Sequence, residues 1–403
     1  MRWMRIGVLL AILSLAGTSH GQEPNSPSAI PGLAKVDQVT DFPLLDRAID
    51  TLEFSTESNG WIVGEYWLGW VRGQRLPALL TTSPDGTDAA TAGILGQATT
   101  SVLFNGRVNS DVRSGFRLAG GYLYDRERGL GVEAGFSYLG SQSTTLLASS
   151  DDFAILARPY TDATTGDPQA VLVAFPGTST GSVEFTADSG NFFETHVGLT
   201  ERIWSTDSAN AGVILGYRFN HYDDGLRMQQ TILATDTRID STDDFTAKNN
   251  FHGLDMGMRA ELTWRTLTWN LLGKVAVGHL QSAVKINGRQ VASVTGSAPV
   301  TQTGGVYALA SNIGTYHDGE WTLQPELGST LSWQLRPNLS LRLGYSAMFL
   351  NDFAVAANQI DRTINPNLFP PADLSADPLR PLFQLSRSDL WIHSINLGVD
   401  YRF

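Results

Sequence analysis

From Gly60 to Phe403 the chain repeats one pattern: stretches of strictly alternating polarity, cut by connections that run long, short, long, short. In Leu254–Trp264 the apolar set is Leu254, Met256, Met258, Ala260, Leu262 and Trp264, interleaved with Asp255, Gly257, Arg259, Glu261 and Thr263. Leu339, Leu341, Leu343, Tyr345, Ala347 and Phe349 alternate in the same way with Ser340, Arg342, Gly344 and Ser346. A period of two is a strand with one apolar and one polar face. Such stretches fall at 61–72, 113–124, 129–140, 191–204, 209–222, 250–264, 267–280, 320–334, 338–350 and 391–403. Each is close to the ~9–11 residues that cross a bilayer as a tilted strand, or slightly longer.

The short connections are Asp125–Arg128, Ser205–Ser208, Arg265–Thr266 and Leu335–Pro337. The long ones are Gly73–Val112, Ser141–Gly190, Asp223–Asn249, Ser282–Gly319 and Asn351–Leu390. A soluble sandwich has no reason to sort loop lengths onto alternate ends. Outer-membrane barrels do, with short periplasmic turns and longer extracellular loops. The expected fold is therefore all-β: a transmembrane antiparallel up-and-down barrel of about ten strands (range roughly 8–14, since a long connection can hide a hairpin), closed so that no edge is exposed. Two bands of aromatics are expected at the interfaces, as in barrel girdles. Trp204, Trp264, Trp269, Trp333 and Tyr401 lie near the periplasmic ends; Trp67, Trp70, Phe193, Phe219, Trp321 and Phe349 lie near the outer ends. Pro325 and Glu201, both on the apolar parity, run against the pattern.

Both ends of the chain fit an outer-membrane location. Arg2, Arg5, the apolar run Ile6–Gly17 and the small Ser19 and Gly21 have the layout of a cleaved secretory signal over residues 1–21. That run is short of the about 20 apolar residues a spanning helix needs, and no other stretch is longer, so a helical membrane protein is excluded. Residues 22–59 read as a periplasmic lead-in, with a short helix at Asp41–Phe54, and residues 60–403 as the barrel. In the final stretch, Val399, Tyr401 and Phe403 share one face with Ile395 and Leu397. They are the expected sorting signal for the β-barrel insertion machinery, which with outer-membrane lipids completes the expected partners. Oligomeric state is open. The chain has no Cys, which rules out a lipoprotein anchor and a disulfide scaffold. Its net charge of −12 falls to −14 once Arg2 and Arg5 are removed, and no basic stripe exists to meet nucleic acid.

With the apolar parity outward, the lumen receives Arg117, Glu133, Arg218, Asp255, Arg259, Glu261, Lys274, Glu326, Arg342, Asp400 and Arg402, joined by Glu65, Arg113, Glu194 and Arg202. The two signs are nearly balanced. A charged ring could set ion selectivity. A salt-bridged filling is the better expectation at this size, because an eight-stranded barrel is just filled by side chains and open porins use about 16–18 strands. The expectation is thus a porin-like barrel with a narrow or largely occluded lumen, serving passive passage or a structural role, with no catalytic, cofactor or metal site.

The chain also resembles a known family: the type-seven β-barrel porins of planctomycete bacteria. The resemblance is carried by EYWLGWVRGQRLPALLTTSP (Glu65–Pro84), AGILGQATTSVLFNG (Ala92–Gly106), GFRLAGGYLYD (Gly115–Asp125) and GLGVEAGFSYLG (Gly129–Gly140). It continues through LGYRFNHYDDGL (Leu215–Leu226), NNFHGLDMGMRAEL (Asn249–Leu262), LLGKVAVGHLQSAVKINGRQ (Leu271–Gln290), GGVYALASNIGTY (Gly304–Tyr316) and SDLWIHSINLGVDYRF (Ser388–Phe403). It implies an outer-membrane barrel and little else; the Ser141–Gly190 loop departs most from it.

Two other function classes remain. Some ten-stranded barrels are surface proteases that activate water with Asp and His at the rim. His221, Asp223 and Asp224 at the top of a strand, with Asp151 and Asp152 in a facing loop, offer such a carboxylate–imidazole pair. The same Asp-Asp-Gly run reads equally well as a turn. No G-x-S-x-G elbow supports a lipase. Alternatively the loops bind something at the cell surface. Asp85, Asp88, Asp162, Asp167, Asp236, Asp240, Asp243 and Asp244 make them acidic, but without EF-hand spacing the default is a set of solvated carboxylates.

Overall fold

The computed structural model describes residues 59–403. The expected signal segment, the Asp41–Phe54 helix and the rest of the lead-in before Asn59 lie outside the described residues. In chain order the strands are β1 (Gly60–Val71), β2 (Gln74–Ser83), β3 (Ser101–Val108), β4 (Arg113–Asp125), β5 (Leu130–Leu139) and β6 (Gln142–Ser149). There follow β7 (Ile155–Asp162), β8 (Pro168–Ala174), β9 (Thr180–Ser205), β10 (Ala209–Ala234), β11 (Thr237–Trp264) and β12 (Leu267–Val294). The last are β13 (Val300–Thr303), β14 (Gly314–Arg336), β15 (Leu339–Ala354), β16 (Thr363–Ile364) and β17 (Arg387–Arg402).

The main sheet has twelve strands, of which β6 and β13 stand off the ring. The other ten, β1, β4, β5, β9, β10, β11, β12, β14, β15 and β17, pair in that order, and β17 returns to β1. The seam is antiparallel from Trp61 opposite Arg402 to Val71 opposite Ile392. Reciprocal backbone bonds of 2.9 Å between Gly60 and Phe403 finish it. Every stretch of alternation in the sequence maps onto one of these ten strands. Neighbours are joined at one end by tight turns, such as Arg265–Thr266, where Arg265 takes a φ of 56°.

None of the five long connections is a simple loop. Between β10 and β11 only residues 235 and 236 are unpaired, so the span Asp223–Asn249 is a continuation of both strands. β9 and β10 are 26 residues each, and β11 and β12 are 28 each. At ~3.3 Å per residue a 26-residue strand is about 85 Å long, far more than the bilayer needs. The outer halves of these strands form a collar beyond the membrane.

The polarity of the wall inverts where the collar begins. On β10, Leu215 and Tyr217 face out while Arg218 and Asn220 are buried inside. Further along the same strand Leu226 and Met228 are buried inside and Arg227 and Gln229 are exposed. On β12, Val275 faces out and Lys274 in; then Val284 and Ile286 turn inward while Lys285 is exposed. Side-chain direction keeps its period of two; only the residue classes exchange faces. Inside the bilayer the outer face must meet lipid, and above it the same face must meet water.

Because its interior is apolar, the collar can hold a core. The long connections fold into it as a second sheet, β16–β7–β2–β3 with β8 on β7. Leu79, Leu80, Phe104, Leu156 and Val173 from that sheet pack with Val183, Phe185, Leu226, Met228, Phe245, Val284 and Ile286 of the collar. The Ser141–Gly190 stretch, expected as one loop, supplies β6, β7, β8 and the start of β9. Below this cap a second apolar layer closes the outer mouth of the ring, built from Val71, Leu139, Phe192, Tyr222, Phe251, Leu350, Phe353 and Leu390.

Two departures from the simple pattern have local settings. Glu201 is exposed on the outward face beside the short turn to β10, where a bulge sets Arg202 opposite Gly212 and Trp204 opposite Ala211. Pro325 faces out opposite Val275. Trp67 corrects the girdle: it is 2% exposed, inside the barrel, because it shares parity with Glu65. Trp204, Trp264, Trp269, Trp333 and Trp321 do face outward.

Candidate functional site in the barrel lumen

Midway along the ring, inward positions of nonadjacent strands meet. Arg218 of β10, with no side-chain exposure, lies 2.9 Å from Asp255 of β11, 2.7 Å from Glu326 of β14 and 4.0 Å from Glu194 of β9. Arg117 of β4 reaches Glu326 at 3.3 Å from the opposite side of the ring, its guanidinium 4.4 Å from the Trp67 ring centre. Arg259 of β11 pairs with Glu133 of β5 at 2.8 Å, and Lys274 of β12 sits 3.4 Å from Asp255 and 3.9 Å from Glu133. Arg342 of β15 joins Glu65 at 2.9 Å and Asp400 at 3.5 Å. Four of these nine pairs, Arg218–Glu326, Arg117–Glu326, Arg259–Glu133 and Lys274–Glu133, are chords across the lumen; the others run along its wall between adjacent or next-nearest strands.

The remaining residues of the set lie toward the short-turn end. Glu261 accepts a 3.0 Å bond from Asn210, and Arg402 approaches Asp400 at 3.8 Å while staying exposed at the mouth. A cavity of about 170 Å³ is left among these side chains, lined by all of the expected charged residues of the core set except Arg218 and Asp255. Arg202 borders the opening at that end, whereas Arg113 lies at the other, bonded to Asn109 and Ser189. Val399 and Tyr401 lie on the outward face of β17, in register with Leu341 and Leu339 of β15.

His196 is a member that the polarity pattern does not single out. It lies 3.9 Å from Glu133 and 3.8 Å from Glu194. Its parity with Glu194 on β9 is the one signal for it in the sequence. Above the charged layer Asn220 bonds Gln324 across the lumen, and Ser346 bonds Ser394. Burial of the central charges is tolerable because each meets a counterion, while Arg113 is held by the Asn109 carbonyl and the Ser189 hydroxyl; removing one partner of a buried pair typically costs about 3–5 kcal/mol.

Of the rim residues only His221 and Asp223 come together, at 3.9 Å. His221 is on the outer wall, stacked on Phe193 with ring centres 5.1 Å apart and bonded to Asn250. Asp224 is on the inner face of the same strand, buried, accepting the Ala356 N–H at 2.9 Å. Burial pushes its carboxyl well above the usual carboxylate range, against that backbone bond. Asp223 lies 3.9 Å from His221, and Asp152 accepts a bond from Ser149 of its own loop. Asp224 and Asp152 are thus held by Ala356 and Ser149 and do not join the His221–Asp223 pair.

The acidic connections are also partly internal. Asp243, expected as a solvated carboxylate, has no exposure. It binds Arg158 at 2.8 Å and accepts three backbone N–H bonds, from Val306, Tyr307 and Ala308, at 2.8 to 3.0 Å. The Arg158 guanidinium lies 4.4 Å from the Tyr307 ring centre, and burial pushes the Tyr307 hydroxyl up to about 12. Among the described residues no group of three His, Asp or Glu could hold a metal ion.

A closed ten-stranded antiparallel ring with an apolar outer band and a polar interior defines an outer-membrane β-barrel protein. The chain belongs to the family described as Putative beta barrel porin-7, which matches residues 61–403. Solved structures align with it at low identity. The outer membrane protease OmpT from Escherichia coli is 8% identical with a TM-score of 0.41, covering 87% of this chain and 100% of that one. Ail, the attachment invasion locus protein of Yersinia pestis, is 10% identical with a TM-score of 0.21, covering 86% and 99%. A major outer membrane protein from Thermus thermophilus is 11% identical with a TM-score of 0.21, covering 84% and 99%. No curated protein matches the sequence.

Proposed function

We propose that this outer-membrane barrel is closed to diffusion and serves the envelope as a structural, surface-capped wall element, not as an open pore. The observation that carries this reading is the chord geometry of the lumen. Arg218 of β10 and Arg117 of β4 both reach Glu326 of β14, and Arg259 of β11 and Lys274 of β12 both reach Glu133 of β5. A hydrated ion entering there would have to displace buried ion pairs. The apolar layer at the mouth and the cap add two further barriers in series. Of the expected rim set only Asp223 lies beside His221, on the outer wall, while Asp224 is buried on the inner face of β10, and this scatter supports a non-catalytic role.

Single-channel recording in planar bilayers tests the reading. Silence, or conductance far below that of open trimeric porins, is expected from the full-length protein. Porin-sized steps in the unmodified protein would overturn it.

A further inference from the structure

The two ends of the lumen are built differently. The outer mouth is closed by the apolar layer of Val71, Phe192, Tyr222 and Phe353, with the cap above it. At the short-turn end the 170 Å³ cavity among the charged side chains shares Trp61, Glu133, Arg259, Glu261 and Arg402 with a second hollow of about 200 Å³. Together they make one polar vestibule, open at the short turns and blind at the charged layer. In outer-membrane barrels the short turns face the periplasm, so this vestibule fills from that side.

Four groups on its wall keep bonding capacity. Glu133 of β5 and Asp400 of β17 are 2% and 7% exposed, and Glu133 Oε1 and Asp400 Oδ1 accept no hydrogen bond from any described residue. The nitrogens beside them, from Lys274 and His196 at 3.9 Å and from Arg402 at 3.8 Å, stand beyond hydrogen-bond distance. Arg259 reaches Glu133 Oε2 with one nitrogen at 2.8 Å, and its side chain is still 32% exposed. Arg402 is 59% exposed, and its 3.8 Å approach to Asp400 leaves its donors to give.

A buried carboxylate oxygen without a donor is destabilising, so these two favour a molecule that brings one. The two guanidiniums favour an acceptor. Both signs face the same space, and a ligand of single charge would satisfy only half of it. Size narrows the choice further. A cavity of about 150 Å³ admits benzene, with about six heavy atoms, and this one is slightly larger. We propose that the vestibule binds a zwitterion the size of a small amino acid, its carboxylate on Arg259 and Arg402 and its ammonium on Glu133 and Asp400.

Ligand-detected NMR titrations of the detergent-purified full chain test this with L-alanine and L-serine, against propionate and ethylamine, which each carry one charge of the pair. The zwitterions are expected to saturate with a Kd at least about tenfold below either single-charge probe, the worth of one charge-assisted hydrogen bond. Arg402→Gln, at the exposed mouth, should weaken them by about the same factor. Gly328→Leu should abolish saturation by filling the cavity without removing a charge; a Cβ there meets Leu272 at an acceptable 3.4 Å. Both variants should keep the heat-modifiable mobility of a folded barrel. No saturation by either zwitterion, a match by propionate or ethylamine, or binding that survives both variants overturns the proposal. It fails separately from the closed-barrel reading: porin-sized conductance with intact zwitterion binding sinks only that reading, and silence without binding sinks only this one.

Discussion

At the scale of single residues, parity is a good guide in the membrane and a poor one at its edge. Arg218, Asp255 and Glu326 can be assigned inward from alternation alone, because lipid on the other face leaves a charge no alternative. Which acid meets which base cannot be read, since chords across a ring depend on strand stagger. Trp67 escapes the girdle assignment because an aromatic near the rim suits either face. Asp224 has the sequence context of a turn residue, yet it is buried and accepts the Ala356 N–H at 2.9 Å. Burial favours its neutral form, so ionisation opposes folding. That cost is absent below the unfolded carboxylate value of about 3.9 and grows as pH rises from there toward the higher folded value. Asp224→Asn keeps an acceptor for Ala356 and removes the charge. The variant should therefore resist urea better than the parent at pH 7.5 and match it at pH 4. Matching midpoints at both pH values would show that Asp224 ionises without penalty.

At the scale of elements, the ten membrane segments are legible in the sequence and the collar is not. A search for apolar alternation ends where the polarity inverts, so the outer halves of β9 to β12 resemble polar loops rich in Asp. Their pattern is that of an ordinary soluble wall, apolar inside and polar outside. The cap is illegible for a different reason: β2, β3, β7 and β8 are short, and their core partners lie on collar strands far away in sequence. Replacing Gly225–Thr246 by a two-residue turn removes Leu226, Met228 and Phe245 from that core. Loss of buried Leu, Met and Phe side chains costs about 2–5 kcal/mol each. The ring should still form and keep its heat-modifiable gel mobility, while trypsin cleaves the Arg362–Thr363 bond of the cap at least about tenfold faster, the open state of the cap being favoured by more than ~1.4 kcal/mol. Unchanged cleavage would mean that the cap holds together without the collar.

At the scale of the whole molecule, the outward band fixes how the barrel sits in the bilayer. Leu397 faces lipid midway along the paired part of β17, and Tyr401 lies close to its end. An arginine on the lipid face costs about 2–4 kcal/mol at the midplane and about 0–1 near an interface. Leu397→Arg should thus lower folding stability in phosphatidylcholine vesicles by that larger amount, and Tyr401→Arg by at most the smaller, in equilibrium denaturant titrations. Equal costs would place the midplane elsewhere on the wall.

The seam between β1 and β17 also dictates an order of events. Trp61 faces Arg402, so the ring joins two segments between which nearly the whole described chain must already have been laid down. Closing so long a loop adds little to the entropic cost beyond a shorter one, but it makes the contact slow. Until then β1 presents an unpaired edge to any other strand that meets it first. β17 acts as a clasp, and the interval before it fastens is when the unfinished barrel is most exposed to the wrong neighbour.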